Sequence, residues 1–241
     1  MSRQRRQSLI HTLFEDEARA SGFGRVAGLD EVGRGALAGP VVAAAVVLDP
    51  AALLPQGLDD SKKLTALQRE RIAEELRRTA VCYAYGLVGP EEIDSTNILV
   101  ATRRAMLQAL EGLQPCADFL LIDAIQLREA GLPQKAIIRG DSASASIAAA
   151  SVIAKTYRDA LMREYDCAYP QYGFARHVGY GTREHWAALR EHGCCPIHRR
   201  SFRGVIQEDE GEEEEVTEEE SVALEERDEK VTGEASEPTA T

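Results

Sequence analysis

The chain has 241 residues and a mass of 26.3 kDa, and 44% of it is hydrophobic, enough for one well-buried α/β domain with at most an appendage. Its formal charge of −12 is local: residues 208–241 hold 16 acidic and 2 basic side chains, a balance of −14, so residues 1–207 stand at +2 and the low isoelectric point says little about what the body binds. The longest apolar stretch, residues 35–48, is too short for a bilayer, the N-terminus has no apolar signal core, and the five cysteines lack a C-x-x-C pair, so we expect a cytoplasmic chain with reduced thiols and no membrane partner.

Residues 5–20 read as a short helix, and residues 1–20 as an N-terminal extension. Residues 26–31 form a strand candidate that runs into the turn Gly33-Arg34-Gly35. Residues 41–48 are a continuous valine-rich run, which suits a strand buried on both faces. After the turn chemistry of Asp59-Asp60-Ser61, residues 65–80 show helical spacing with Leu67, Ile72 and Leu76 on one side. A third strand is expected at 81–88, and Pro90 opens a helical region that continues to about Gly112.

Residues 119–122, ending at Asp123, and 136–138, ending at Arg139-Gly140-Asp141, read as short strands. A long helix dense in small residues follows at 142–165, with Asp141 at its N-cap. Another helix spans 182–192, started at Thr182 and stopped by Gly193. Strands linked first by turns and later by helices predict an α/β fold around a mixed sheet covered on both faces. Residues 21–207 are the expected folded domain, and residues 208–241, Glu-rich and without an aromatic residue, an acidic disordered tail.

Asp30, Glu31, Asp123 and Asp141 all fall at element boundaries, after apolar or small residues, where open α/β sheets gather their sites. Two carboxylates about 4 Å apart repel by roughly 4 kcal/mol at an effective dielectric near 20. Only Arg34 and Arg139 lie in the same segments, with no His or Cys, so hard divalent ions, Mg2+ or Mn2+, are the better counter-charge than zinc. Side chains alternate along a strand, so Asp30 and Glu31 should share a site only if the strand ends or bulges there.

The Gly33-Arg34-Gly35 turn offers close backbone approach and N–H donors to phosphate or sugar. Lys62-Lys63 is a second cationic point, and the segments 172–180 and 196–203 mix aromatic with basic residues in a way that suits nucleic acid. Cys194-Cys195 reads as two bystander thiols.

AGLDEVGRGALAGPVVAAAVVL, DDSKKL, LLIDA, GDSASASIAAASVIAKTYRD, HVGYGT and PIHRRSF together resemble the bacterial ribonuclease HII family over residues 26–202. The resemblance implies a ribonuclease H-like fold, with a five-stranded mixed sheet, flanking helices and a small helical C-terminal part. It implies an endoribonuclease that cleaves the RNA strand of RNA–DNA hybrids and nicks duplexes 5′ of an embedded ribonucleotide, leaving 3′-hydroxyl and 5′-phosphate ends.

By motif, Asp30, Glu31, Asp123 and Asp141 resemble catalytic ligands of two Mg2+ or Mn2+ ions. Gly33, Arg34 and Gly35 resemble the reader of the ribose 2′-hydroxyl, Ser61 and Lys62 a turn that contacts the nucleic-acid backbone, and Tyr180 a tyrosine packed on the deoxyribose beside the junction. Asp159 is expected behind these acids. The partners implied are RNA–DNA hybrids and ribonucleotide-bearing duplexes, with the enzyme a monomer. Val32 where alanine is usual, Val178 where lysine is common and the Glu-rich tail depart from the family pattern, and the lack of an extra N-terminal domain separates the chain from the type 3 relative.

Two other classes fit less of the sequence. A serine hydrolase built on Ser142 would lack the G-x-S-x-G elbow. A non-catalytic binding protein acting through its acidic tail would leave the four acids without a purpose.

Overall fold

The valine-rich run is the centre of the sheet. In a computed structural model, which describes residues 10–206, β2 (Val41–Val47) is buried at every position. It lies antiparallel between β1 (Val26–Val32) and β3 (Cys82–Val88). On the other side of β1, β4 (Phe119–Asp123) and β5 (Gln134–Ile137) add in parallel, giving the mixed order β3-β2-β1-β4-β5. The acidic tail and the start of the expected N-terminal helix lie outside the described residues.

Alternation along β1 and β2 feeds two cores. Leu29, Val41, Ala43 and Ala45 pack with Ala105, Met106 and Ala109 of α4 (Ile98–Glu111). Val42, Ala44 and Val46 face Ile72 and Leu76 of α2 (Ala66–Thr79) and Ala148, Val152 and Ile153 of α5 (Ala145–Ala168). The small side chains of α5 let it press onto the strand: a Cβ on Gly28 would lie 2.1 Å from the Ser146 carbonyl carbon. Gly86 serves the opposite face, where a Cβ would come within 1.8 Å of the Ala105 carbonyl oxygen.

Tyr172, Phe174, Met162, Ala188 and Ile197 make a smaller core between the end of α5, α6 (Phe174–His177) and α7 (Arg183–His192). As expected, α7 is capped by the Thr182 side chain and ends at Gly193.

Several expectations are corrected. Leu67 is 81% exposed, because only Ile72, Ala73 and Leu76 of α2 meet the core. The helical region from Pro90 breaks into α3 (Pro90–Ser95) and α4, since the Asn97 side chain accepts from Leu99 N and Val100 N and starts a new helix. The long helix begins three residues later than expected, capped by Ser144 on Ile147 N, and Asp141 sits in a separate turn, Gly140–Ser142, and caps nothing.

The start of α5 is instead closed from outside. Glu15 of α1 (Leu13–Ala20) is buried, and its Oε1 accepts from Ser144 Oγ at 2.6 Å, Ser146 N at 2.8 Å and Ser146 Oγ at 2.6 Å. A carboxylate at this end also favours the helix dipole.

Candidate active site

β1 and β4 part company at their C-terminal ends. Their pairing stops at Leu29↔Ile122, while β1 stays paired with β2 to Val32↔Val42. The register is regular through Asp30 and Glu31, so no bulge brings the two acids together, contrary to expectation. Both reach one cleft because it opens around the strand where the neighbour on the β4 side has ended.

That cleft, of about 480 Å3, is lined by Asp30, Glu31 and Asp123, by the Gly33-Arg34-Gly35 turn, by Ser61 and Lys62, and by Tyr180. Asp141 is brought beside it and does not line it: its Oδ2 is held by Lys62 Nζ at 3.1 Å. The counter-charge therefore comes partly from a lysine 79 residues away in the chain, not only from the acids' own segments.

Crowding shows in the acids' proton affinities. Burial, then the neighbouring Glu31, push Asp30 well above the usual carboxylate range, although Ser151 and the Glu31 N–H, 2.8 Å from Asp30 Oδ1, bond its carboxyl. Burial also raises Glu31, against the pull of Arg34, whose Nη1 lies 3.1 Å from Glu31 Oε1. Asp123 is raised by burial too, while its Oδ1 accepts from Gly140 N at 2.7 Å. For Lys62, burial is the largest influence and lowers the pKa, but the hydrogen bond to Asp141 together with the charges of Asp141, Asp60 and Asp30 outweighs it, and the pKa rises.

Among the described residues, no three His, Cys, Asp or Glu side chains are gathered to hold a metal ion as they stand. The donor set nevertheless fits a hard cation. All its ligand-forming side chains offer oxygen, no His or Cys lines the cleft, and Glu31 Oε2 is buried without a hydrogen-bond partner. Asp30, Glu31, Asp123 and, once Lys62 yields it, Asp141 are the residues that would share such ions.

Ser151 and Lys155 also line the cleft and were missed in the sequence. They lie four residues apart on α5, with Asp159 four further on, so one helix face carries all three. Asp159, expected behind the acids, bonds Lys155 Nζ at 2.6 Å and lies 3.6 Å from Arg69, so its link to the cleft runs through the lysine. The Ser61 side chain is buried and shares a hydrogen bond of 2.9 Å with Ser151, so it braces the turn from within.

The aromatic and basic loops are corrected most strongly. Tyr172, Phe174, His177, His198 and Arg199 are buried, and none of them lines the cleft. Arg176 is left at the surface, paired with Glu184. Tyr180, a third exposed, does line the cleft, with its ring 5.7 Å from the Arg158 guanidinium. Trp186 of α7 packs beside Gly181 and Leu37, just behind Tyr180. Cys194 and Cys195 are free thiols, as expected.

A chain of histidines holds the tyrosine's backbone. Cys195 N donates to His198 Nδ1 at 2.9 Å, so His198 carries its proton on Nε2 and offers it to His185 Nε2 at 3.0 Å, and His185 Nδ1 donates to the Tyr180 carbonyl at 3.0 Å. This arrangement needs both rings neutral, and burial lowers each from the usual 6.5 to about 4. Between those values the unfolded chain binds protons that the folded one refuses, so stability is lost as pH falls through the window. Each ring should cost on the order of 2 kcal/mol by about pH 5. Thermal unfolding at pH 7 and pH 5 checks this, and an unchanged midpoint would contradict the neutral pair.

Comparison with known proteins agrees with this architecture. The family model described as Ribonuclease HII matches residues 27–205. A ribonuclease HII of Desulfitobacterium hafniense is 54% identical over 201 residues, 83% of this chain and 77% of the relative. One from Geobacillus kaustophilus is 55% identical over 192 residues, 80% and 73% of the two chains. The crystal structure of ribonuclease H2 from Pyrococcus horikoshii superposes with a TM-score of 0.64 at 29% identity, over 75% of this chain and 94% of that one.

Proposed function

The chain belongs to the ribonuclease HII family, and from that membership we propose that it is an endoribonuclease acting on RNA–DNA hybrids and on DNA duplexes that carry single ribonucleotides. The observation that carries this reading is the union of three buried or half-buried carboxylates with a glycine turn and an exposed tyrosine around one cleft. Acids alone suit many reactions; acids beside a sugar-sized turn and a flat ring suit a nucleic-acid strand.

Asp30, Glu31, Asp123 and Asp141 would hold Mg2+ or Mn2+, two ions with substrate bound. Such ions supply activation of water and stabilisation of the departing 3′-oxygen, which leaves 3′-hydroxyl and 5′-phosphate ends. The chain's own side chains orient the strand. Lys62 and Lys155 line the cleft and offer ammonium groups to the phosphates. Arg34, 45% exposed, stays on Glu31 until a phosphate competes for it. The turn at Gly33–Gly35 meets the 2′-hydroxyl, the group that separates RNA from DNA, and Tyr180 packs on the neighbouring deoxyribose. Lys62 has a second part, since it neutralises Asp141 while the cleft is empty of cations.

Incubating the enzyme with a duplex bearing one ribonucleotide should give a single nick on its 5′ side in Mg2+ or Mn2+ and none in chelator. Cleavage elsewhere, or cleavage that ignores the metal, would remove the reading.

A further inference from the structure

Two arginines are wholly buried, Arg158 on α5 and Arg199 beyond α7. Among the described residues neither has a carboxylate within ion-pair distance, an arrangement that polypeptides rarely tolerate. Their guanidinium hydrogen bonds end on main-chain carbonyls. Arg158 donates from Nε to Pro40 at 3.0 Å, from Nη1 to Val178 at 2.8 Å and from Nη2 to Ala38 at 3.1 Å. Arg199 donates from Nε to Gly39 at 2.9 Å, from Nη1 to Arg34 at 2.8 Å and from Nη2 to Gly33 at 2.7 Å.

The direction of those carbonyls has a geometric consequence. In a trans peptide unit the C=O and the following N–H point opposite ways. With the Gly33 and Arg34 oxygens drawn inward to one guanidinium, the N–H groups of Arg34 and Gly35 face away from it, towards the cleft. Neither N–H has an acceptor among the described residues. Gly33, at φ +90°, rests on Arg158, where a Cβ would lie 2.2 Å from Nε, while around Gly35 a Cβ would meet nothing within 4 Å. One side of the turn is pinned and the other is open.

We propose that Arg199 is the positioning residue for ribose recognition: its planar fork grips the Gly33 and Arg34 carbonyls from inside and so presents the Arg34 and Gly35 N–H groups as a paired donor site for the sugar hydroxyl. Arg158 braces the adjoining turn at Ala38–Pro40 and ties it to Val178, two residues before Tyr180, so the sugar reader and the tyrosine are set by one rigid support. A lysine in place of Arg199 keeps the charge and loses the fork. The inference rests on the reading of Gly33–Gly35 as the face that meets ribose.

The test is a ratio. Wild type and Arg199→Lys are assayed on two duplexes alike except for one nucleotide, ribose in the first and 2′-fluoro in the second. The ratio of kcat/KM values is independent of how much of the variant is folded. Arg199→Lys should shrink the preference for ribose by about tenfold, the worth of one well-formed hydrogen bond, through loss on the ribose substrate. An equal loss on both duplexes would overturn the proposal and make Arg199 a structural residue only. A wild-type enzyme without preference for ribose would instead overturn the reading of the turn, and the proposal with it.

A second measurement leaves Arg199 untouched. In Asp30→Asn, used as a non-cleaving background, the Arg34 and Gly35 amide protons should shift in NMR spectra when the ribose duplex binds and stay in place with the 2′-fluoro duplex. Identical behaviour with both duplexes would overturn the proposal even if Arg199→Lys cannot be folded.

Discussion

Asp30→Asn is expected to cleave a ribonucleotide-bearing duplex on the order of a thousandfold more slowly than wild type, and to unfold at a higher temperature. The first half follows from removing one anionic oxygen from a set that exists to hold cations. The second follows from the cost of that same charge. Asp30 is buried, and burial followed by Glu31 raises its pKa well above the usual range.

A carboxyl raised on folding stabilises the protein fully only below its unfolded pKa and loses that contribution as pH rises through the folded value. At neutral pH the ionised form is therefore a burden that the amide lifts. The Asn side chain can still accept from the Glu31 N–H at its Oδ1, so the local backbone has no reason to move. A gain of about 1–2 kcal/mol should raise the midpoint by a few degrees in a chain of this size. Thermal melts in chelator read the stability and a nicking assay reads the activity. Retained activity would take Asp30 out of the reacting centre, and a lowered midpoint would refute the crowding argument.

Tyr180→Ala should separate two substrates that share the same chemistry. The ring is exposed at the cleft, and its backbone is held on both sides by bonds from Tyr180 N to the His177 carbonyl and from His185 to the Tyr180 carbonyl. Removing the ring therefore deletes a contact surface and leaves its support standing. Aromatic packing on a nucleotide is worth about 1–3 kcal/mol, so kcat/KM on a single-ribonucleotide duplex should fall by roughly 5- to 150-fold. On a continuous RNA strand, where no deoxyribose follows the scissile ribonucleotide, the loss should be several times smaller. Parallel kinetics on the two substrates decide it, and equal losses would reject a junction role for Tyr180.

Much of the fold is legible in the sequence because its signals are local. The valine run 41–47 has no polar face and could only be interior, and Thr182 and Gly193 bound their helix by their own chemistry. Asp123 was legible for a similar reason, standing at the last position of an apolar strand, whereas Asp30 and Glu31 lie within β1, past the point where its pairing with β4 ends.

What escaped depends on partners far along the chain. Asp141 looks like a cap until Lys62 is seen to take its carboxylate and Glu15 to close α5 from another helix. Leu67 reads as apolar-side from composition, yet at 3.6 residues per turn it stands about 140° from Ile72 and about 180° from Leu76, on the solvent face of α2. The segments 172–180 and 196–203 have the composition of a binding surface, but His177 and Arg199 find main-chain carbonyls, His198 finds the Cys195 N–H and the His185 ring, and all three turn inward. Only knowledge of which carbonyls lie beneath the cleft separates the two outcomes. Ser151, Lys155 and Asp159 could have been read from their four-residue spacing, had the face of α5 nearest the acids been known.

The placement of Trp186 gives the protein an optical handle of its own. It is the single tryptophan of the chain, and its indole leans on Gly181 and Leu37, so it touches both the segment that carries Tyr180 and the stretch that follows the glycine turn. Any shift of either segment on engaging a duplex alters the surroundings of that fluorophore, so occupancy of the cleft can be followed by intrinsic emission, without a label on protein or oligonucleotide.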